Sequence, residues 1–182
     1  MAGYIMTLGA IDDGTLDSFK GNKKVKEYKL KEHSLERCVK NGMYATYIQE
    51  MSGGGFLGTR ADFLGMRPGD NIYFFFNRCI YGIGEIVGIE ENCVFKNING
   101  SPYDFDANKK FPYFCLFKSM PYFFKNGVDM DEVLLSNPGA FRMLRFFHQK
   151  SFIKLDDIEN KALKTLIIQK NELDLGEFNI HK

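Results

Sequence analysis

Two β-rich runs follow one another with only two residues between them: Asn71-Ile72-Tyr73-Phe74-Phe75-Phe76, then Asn77-Arg78, then Cys79-Ile80-Tyr81-Gly82-Ile83-Gly84-Glu85-Ile86-Val87-Gly88-Ile89. β-Branched and aromatic residues at this density favour a pleated backbone, and a two-residue connection turns the chain straight back on itself. The centre of the fold is therefore expected to be an antiparallel hairpin. Gly82 and Gly84 stand two apart on one face of its second strand, where missing side chains permit bending or the close approach of another group.

The remaining signals arrange themselves around that hairpin. Residues 4–8 read as a short first strand, followed by a polar stretch from Asp12 to about His33. Ser34 stands as the N-cap of a helix whose face is Leu35, Cys38 and Val39, stopped by Asn41-Gly42. Met43–Ile48 alternates weakly as a strand, and Ser52-Gly53-Gly54-Gly55 separates it from a helix at 59–64 and a turn at Arg67-Pro68-Gly69-Asp70. Residues 92–110 suit a long surface loop, and residues 111–117 a buried strand that Pro121 prevents from continuing. Helices are expected at 129–135 and after Asn137-Pro138, and a brief extended piece at 151–154. The clearest helix is the last: Asp156 as cap with Glu159 three residues on, an apolar stripe of Ile158, Ala162, Leu163, Leu166 and Ile167, and Lys164 and Lys170 toward its end.

Strands without regular β-α-β alternation, a central hairpin and marginal helices define an α+β domain around a small curved antiparallel or mixed sheet or barrel. Its expected extent is residues 1–170, with a Lys-rich insertion at about 12–33 and a tail or linker at 171–182. A chain of 182 residues with 45% hydrophobic and 26% charged residues buries a real core without metal or disulfide support. No apolar run approaches the ~18 residues that cross a bilayer, and no basic stretch followed by an apolar segment opens the chain. A cytoplasmic setting without membrane contact is the expectation. Cysteines 38, 79, 93 and 115 are widely spaced in mostly apolar contexts and read as buried thiols, not as a zinc site or a disulfide framework.

The search for chemistry leaves little for catalysis. The chain has no P-loop, no Gly-rich dinucleotide turn opening a helix, no H-E-x-x-H and no nucleophile elbow. Histidines 33, 148 and 181 have no Cys or carboxylate at metal-ligand or triad spacing, so no catalytic residue, metal ligand or cofactor is assigned. What stands out is a surplus of rings: 18 Phe and 9 Tyr, some placed where a core does not demand them. Tyr44 and Tyr47 follow the Gly42 stop, and Phe95, Tyr103 and Phe105 ride on a polar stretch, so several could line a slot that stacks on a planar ligand. The net charge is only +1, yet basic residues cluster at Lys20, Lys23, Lys24 and Lys26, at Lys109 and Lys110, and at Arg142 and Arg145. Each cluster alone is a solvated face; converged, they would bind phosphates.

The order of segments resembles the PUA-like superfamily, especially its YTH and EVE branches. Ser34 to Thr46 is similar to that family's short helix followed by glycine, an apolar residue, an aromatic, a small residue and Thr. Gly69–Phe76 with Ile80–Val87 is similar to its central pair with a Gly-x-(Gly/Ala)-Glu strand, Phe114–Pro121 to its next strand and Ile153–Ile168 to its final helix. The resemblance implies a small curved sheet that reads modified bases. It places Tyr44 as one wall of a cage around a methylated base, with Ala45 offering backbone groups; Leu8, at the end of the first strand where the family carries polar residues, is a further base-binding candidate. Tyr47, Phe95, Tyr103 and Phe105 are candidates for the rest of the site. It further implies a nucleic-acid partner, modified DNA by preference because the Lys-rich segment suits duplex phosphates, and a role as specificity module of a modification-dependent restriction system beside a nuclease or motor. An RNA reader of methylated adenine, an RNA-processing enzyme on the same scaffold and a protein-interaction domain are the alternatives.

Overall fold

The computed structural model describes residues 1–7, 42–45, 61–76, 78–96, 113–118, 122–141 and 152–171; for Thr7, Met43, Tyr44, Ala45, Phe76 and Lys125 it describes the backbone only. The described strands are β1 (Gly3–Thr7), β2 (Met43–Ala45), β3 (Asn71–Phe76), β4 (Cys79–Val87), β5 (Val94–Lys96), β6 (Tyr113–Phe117), β7 (Tyr122–Asp129) and β8 (Phe152–Leu155). The described helices are α1 (Met130–Ser136) and α2 (Asp157–Asn171), with a further helical turn at residues 61–64. The strands join in one curled mixed sheet of order β2-β6-β4-β3-β1-β8, with β5 added to β6 and β7 to β4. Only β1–β3 is a parallel pair among these; the others are antiparallel. The fold is α+β around a small curled mixed sheet, as the sequence leads one to expect.

The expected hairpin is β3–β4, with Asn71 opposite Glu85 and Phe76 opposite Cys79. Its unbroken apolar run follows from burial on both faces. Ile72 and Phe74 enter one core with Tyr4, Met6, Ile86, Cys115, Phe117, Phe123 and Phe152. Tyr73 and Phe75 enter the other, where Ile5, Ile83 and Leu155 meet Met130 and Val133 of α1 and Leu163 and Ile167 of α2. One face of the β1-β3-β4 region is thus sealed by helices, and the other by the sheet itself as it curls over toward β6. Each fully buried Phe or Ile contributes about 1.5–3 kcal/mol, so this two-sided strand is the main apolar anchor of the fold. A Cβ on Gly82 would come within 2.8 Å of the Phe123 ring, so the missing side chain serves the close approach of β7.

Three expectations need correction. The stretch 92–110 does not begin as a loop: Ile89 and Asn92 close a tight turn, and Val94–Lys96 pairs with β6. The chain is extended again right after Pro121 in the sequence: β6 ends at Phe117 and β7 starts at Tyr122, bulging at residues 124–127 opposite Tyr81. The buried face of α2 is Glu159, Asn160, Leu163, Lys164 and Ile167, while Ile158 is 67% exposed. Counting apolar residues alone misplaces the face because three polar side chains lie inside. After α1, Asn137 accepts from the Ala140 N–H at 3.2 Å and the described chain makes a turn up to Phe141; the rest of the helix expected there lies outside the described residues, as does the one after Ser34.

The Asp156 cap forms as the sequence indicates: Glu159 N–H donates to Asp156 Oδ1 at 2.8 Å and Asp156 N–H to Glu159 Oε2 at 2.9 Å. Burial pushes the Glu159 carboxyl above the usual range, against the pull of the Asp156 N–H, and the Asp156 carboxylate adds to the rise. A carboxyl raised in the native state stabilises fully below its unfolded value of about 4.3 and loses that contribution as pH rises through the folded value. Glu159→Gln keeps the acceptor and removes the charge. It is therefore expected to match the parent protein near pH 4 and to exceed it in urea stability at pH 7; equal stability at both would mean the carboxylate is well solvated.

At the Ile89–Asn92 turn, Glu90 sits at φ 58°, in the left-handed region that a side chain occupies only at a cost. Glu90→Gly relieves that cost but loosens the unfolded chain, leaving an expected gain of about 0.5–1 kcal/mol in chemical denaturation. A loss instead would mean that the Glu90 side chain holds the turn through contacts of its own.

Candidate nucleic-acid interface

β6 organises the region to which the sequence assigns the ring-lined site. On one edge it carries β2, with Tyr44 opposite Cys115 and Ala45 opposite Phe114. On the other it carries the end of β4, with Ile86 opposite Phe117, and then β5, with Val94 opposite Cys115 and Phe95 opposite Phe114. The Phe117 N–H donates to Gly42 O at 2.8 Å and the Leu116 N–H to Cys93 O at 3.3 Å, so both flanking segments are hydrogen-bonded into place. Tyr44 is level with Val94, one residue out of step with Phe95.

Alternation along β6 puts Tyr113, Cys115 and Phe117 against the inner core, and Phe114 on the opposite face. There the half-buried Phe95 ring stacks on Phe114, with centroids 5.6 Å apart and planes at 30°. Phe114 is absent from the expected set. Its only sequence signal is the Tyr113-Phe114 pair at the head of a strand, which does not separate a ring facing the core from one facing away. Beside Phe95, Lys96 is exposed at the end of β5. Lys118, just past β6, is 54% exposed and pairs with Glu85 at 2.5 Å.

Of the expected base-binding residues, then, Phe95 is described with its side chain, and Tyr44 and Ala45 by backbone. Leu8, Tyr47, Tyr103 and Phe105 lie outside the described residues. So do the expected phosphate-binding residues Lys20, Lys23, Lys24, Lys26, Lys109, Lys110, Arg142 and Arg145. Sheet pairing brings Tyr44, Ala45 and Phe95 to the two edges of one strand.

Burial shifts several titratable groups among the described residues. Burial first, then the Asp70 carboxylate, pushes the Cys93 thiol up, and its Sγ donates to Met66 O at 3.1 Å. Burial, then Asp70 and Asp62, raises the Tyr4 phenol, and burial alone raises Tyr73. Burial also raises the Cys79 thiol. On α2, burial lowers the Lys164 ammonium, with Glu85 opposing the shift. Among the described residues no three His, Cys, Asp or Glu side chains are grouped to hold a metal, and no helix is long and apolar enough to cross a membrane.

No protein-family model matches the chain, and no curated protein matches it. Solved structures do. A hypothetical protein from Leishmania major is similar over 93% of this chain and 96% of its own, at 10% identity and a TM-score of 0.52. Human THYN1, solved in complex with DNA containing 5-methylcytosine, aligns over 91% of this chain and 97% of its own, at 13% identity and a TM-score of 0.47. The YTH domain of Zygosaccharomyces rouxii MRB1, solved with N6-methyladenosine RNA, aligns over 91% and 86%, at 8% identity and a TM-score of 0.45. At such identities the likeness concerns the fold and no individual residue.

Proposed function

We propose that this chain is a nucleic-acid-binding reader that holds a modified, methylated base among aromatic rings, with DNA as its preferred partner. In this reading it is the specificity module of a modification-dependent restriction system, working beside a nuclease or motor. The observation that carries the reading is the seating of β2 and β5 on the two edges of β6. Segments far apart in sequence come to within two strand spacings, roughly 10 Å: Ala45 and Phe95 both stand opposite Phe114, and Tyr44, the residue that the family resemblance marks as a cage wall, stands one register position away, opposite Cys115.

The energetics suit binding and release without a nucleophile or metal. Taking a base out of its stack costs a few kcal/mol, offset by about 1–3 kcal/mol per stacked ring. One methyl adds on the order of 0.8 kcal/mol, so selectivity must come from shape and from a polar group left unpaired when the wrong base enters. In this reading Lys20, Lys23, Lys24, Lys26, Lys109, Lys110, Arg142 and Arg145 add phosphate affinity that weakens with salt.

A panel of methylated and plain oligonucleotides, single- and double-stranded, DNA and RNA, titrated at two salt concentrations, tests the proposal. Tighter binding of methylated DNA, weakened by salt, is expected. A preference for methylated RNA moves the substrate to RNA, and cleavage by the purified protein alone makes it a processing enzyme. Equal affinity for methylated and plain strands ends the reader assignment, and no binding at either salt concentration favours a protein-interaction domain.

A further inference from the structure

We draw no further inference here: the strongest candidate, the groove of about 640 Å³ between the end of α1 and the outer face of α2 at Ile158, Lys161, Ala162 and Leu166, carries nothing because nothing in the structure shows what covers it.

Discussion

Tyr44→Ala is expected to abolish the preference for methylated over plain oligonucleotide while leaving the thermal unfolding midpoint of the protein close to the parent value. If Tyr44 is a wall of the slot, its removal forfeits one stacking contact, about 1–3 kcal/mol, or roughly a 5- to 150-fold loss of affinity for the methylated strand. Contacts to phosphate are untouched, so weak, salt-dependent binding of both strands should survive. Tyr44→Phe separates the ring from the hydroxyl: it should retain the preference if stacking is the cause and lose it if a hydrogen bond from the phenol is. Backbone pairing of β2 to β6 does not depend on the side chain, which is why the sheet should tolerate both changes. Unchanged preference in Tyr44→Ala would remove Tyr44 from the site.

How much of this was readable in the chain differs by element. The β3–β4 hairpin and the Asp156–Glu159 cap are local: a two-residue connection and a four-residue motif suffice, and both form as expected. The strand β5 is not local. Val94-Phe95-Lys96 lies in a polar stretch whose composition favours a loop, and its hydrogen-bond partners are supplied by β6. β7 is not local either: Pro121 reads as a strand stop in the sequence, whereas the strand that follows it pairs with β4 on either side of its bulge. The site inherits the same limit. Nothing in one sequence says that Tyr44 and Val94 stand opposite the same residue; that fact belongs to the register of β6. Nor does apolar counting find the inner face of α2, because Asn160 and Lys164 earn their buried places through partners on other elements or through packing of the stem.

Asn160 leads to the largest expected effect on stability. Its Oδ1 accepts from the Tyr73 hydroxyl at 2.6 Å, and its Nδ2 donates to Asn71 Oδ1 at 3.1 Å and to Met1 O at 3.2 Å. This links α2 to β3 and to the residues leading into β1. Gly3 lies directly beneath: a Cβ there would come within 2.4 Å of Asn160 Oδ1 and 2.9 Å of the Tyr73 ring. Gly3→Ala must therefore displace the amide. Overpacking of this kind costs about 1–3 kcal/mol, and a fully buried Tyr73 hydroxyl left without its acceptor costs about 1–3 kcal/mol more. An expected loss of roughly 2–6 kcal/mol is a large share of a small domain's stability. Asn160→Ala alone should cost about 1–3 kcal/mol, and adding Tyr73→Phe to it should restore part of that, because no buried donor is then left unpaired. With the amide gone, Gly3→Ala should also become milder than in the parent background. In the sheet order β1 is separated from β6 by β3 and β4, so the fraction of Gly3→Ala that remains folded should bind oligonucleotides with unchanged affinity and selectivity. Urea denaturation of the four variants gives the energies, and a Gly3→Ala midpoint equal to the parent's would mean that α2 does not rest on β1 at this point.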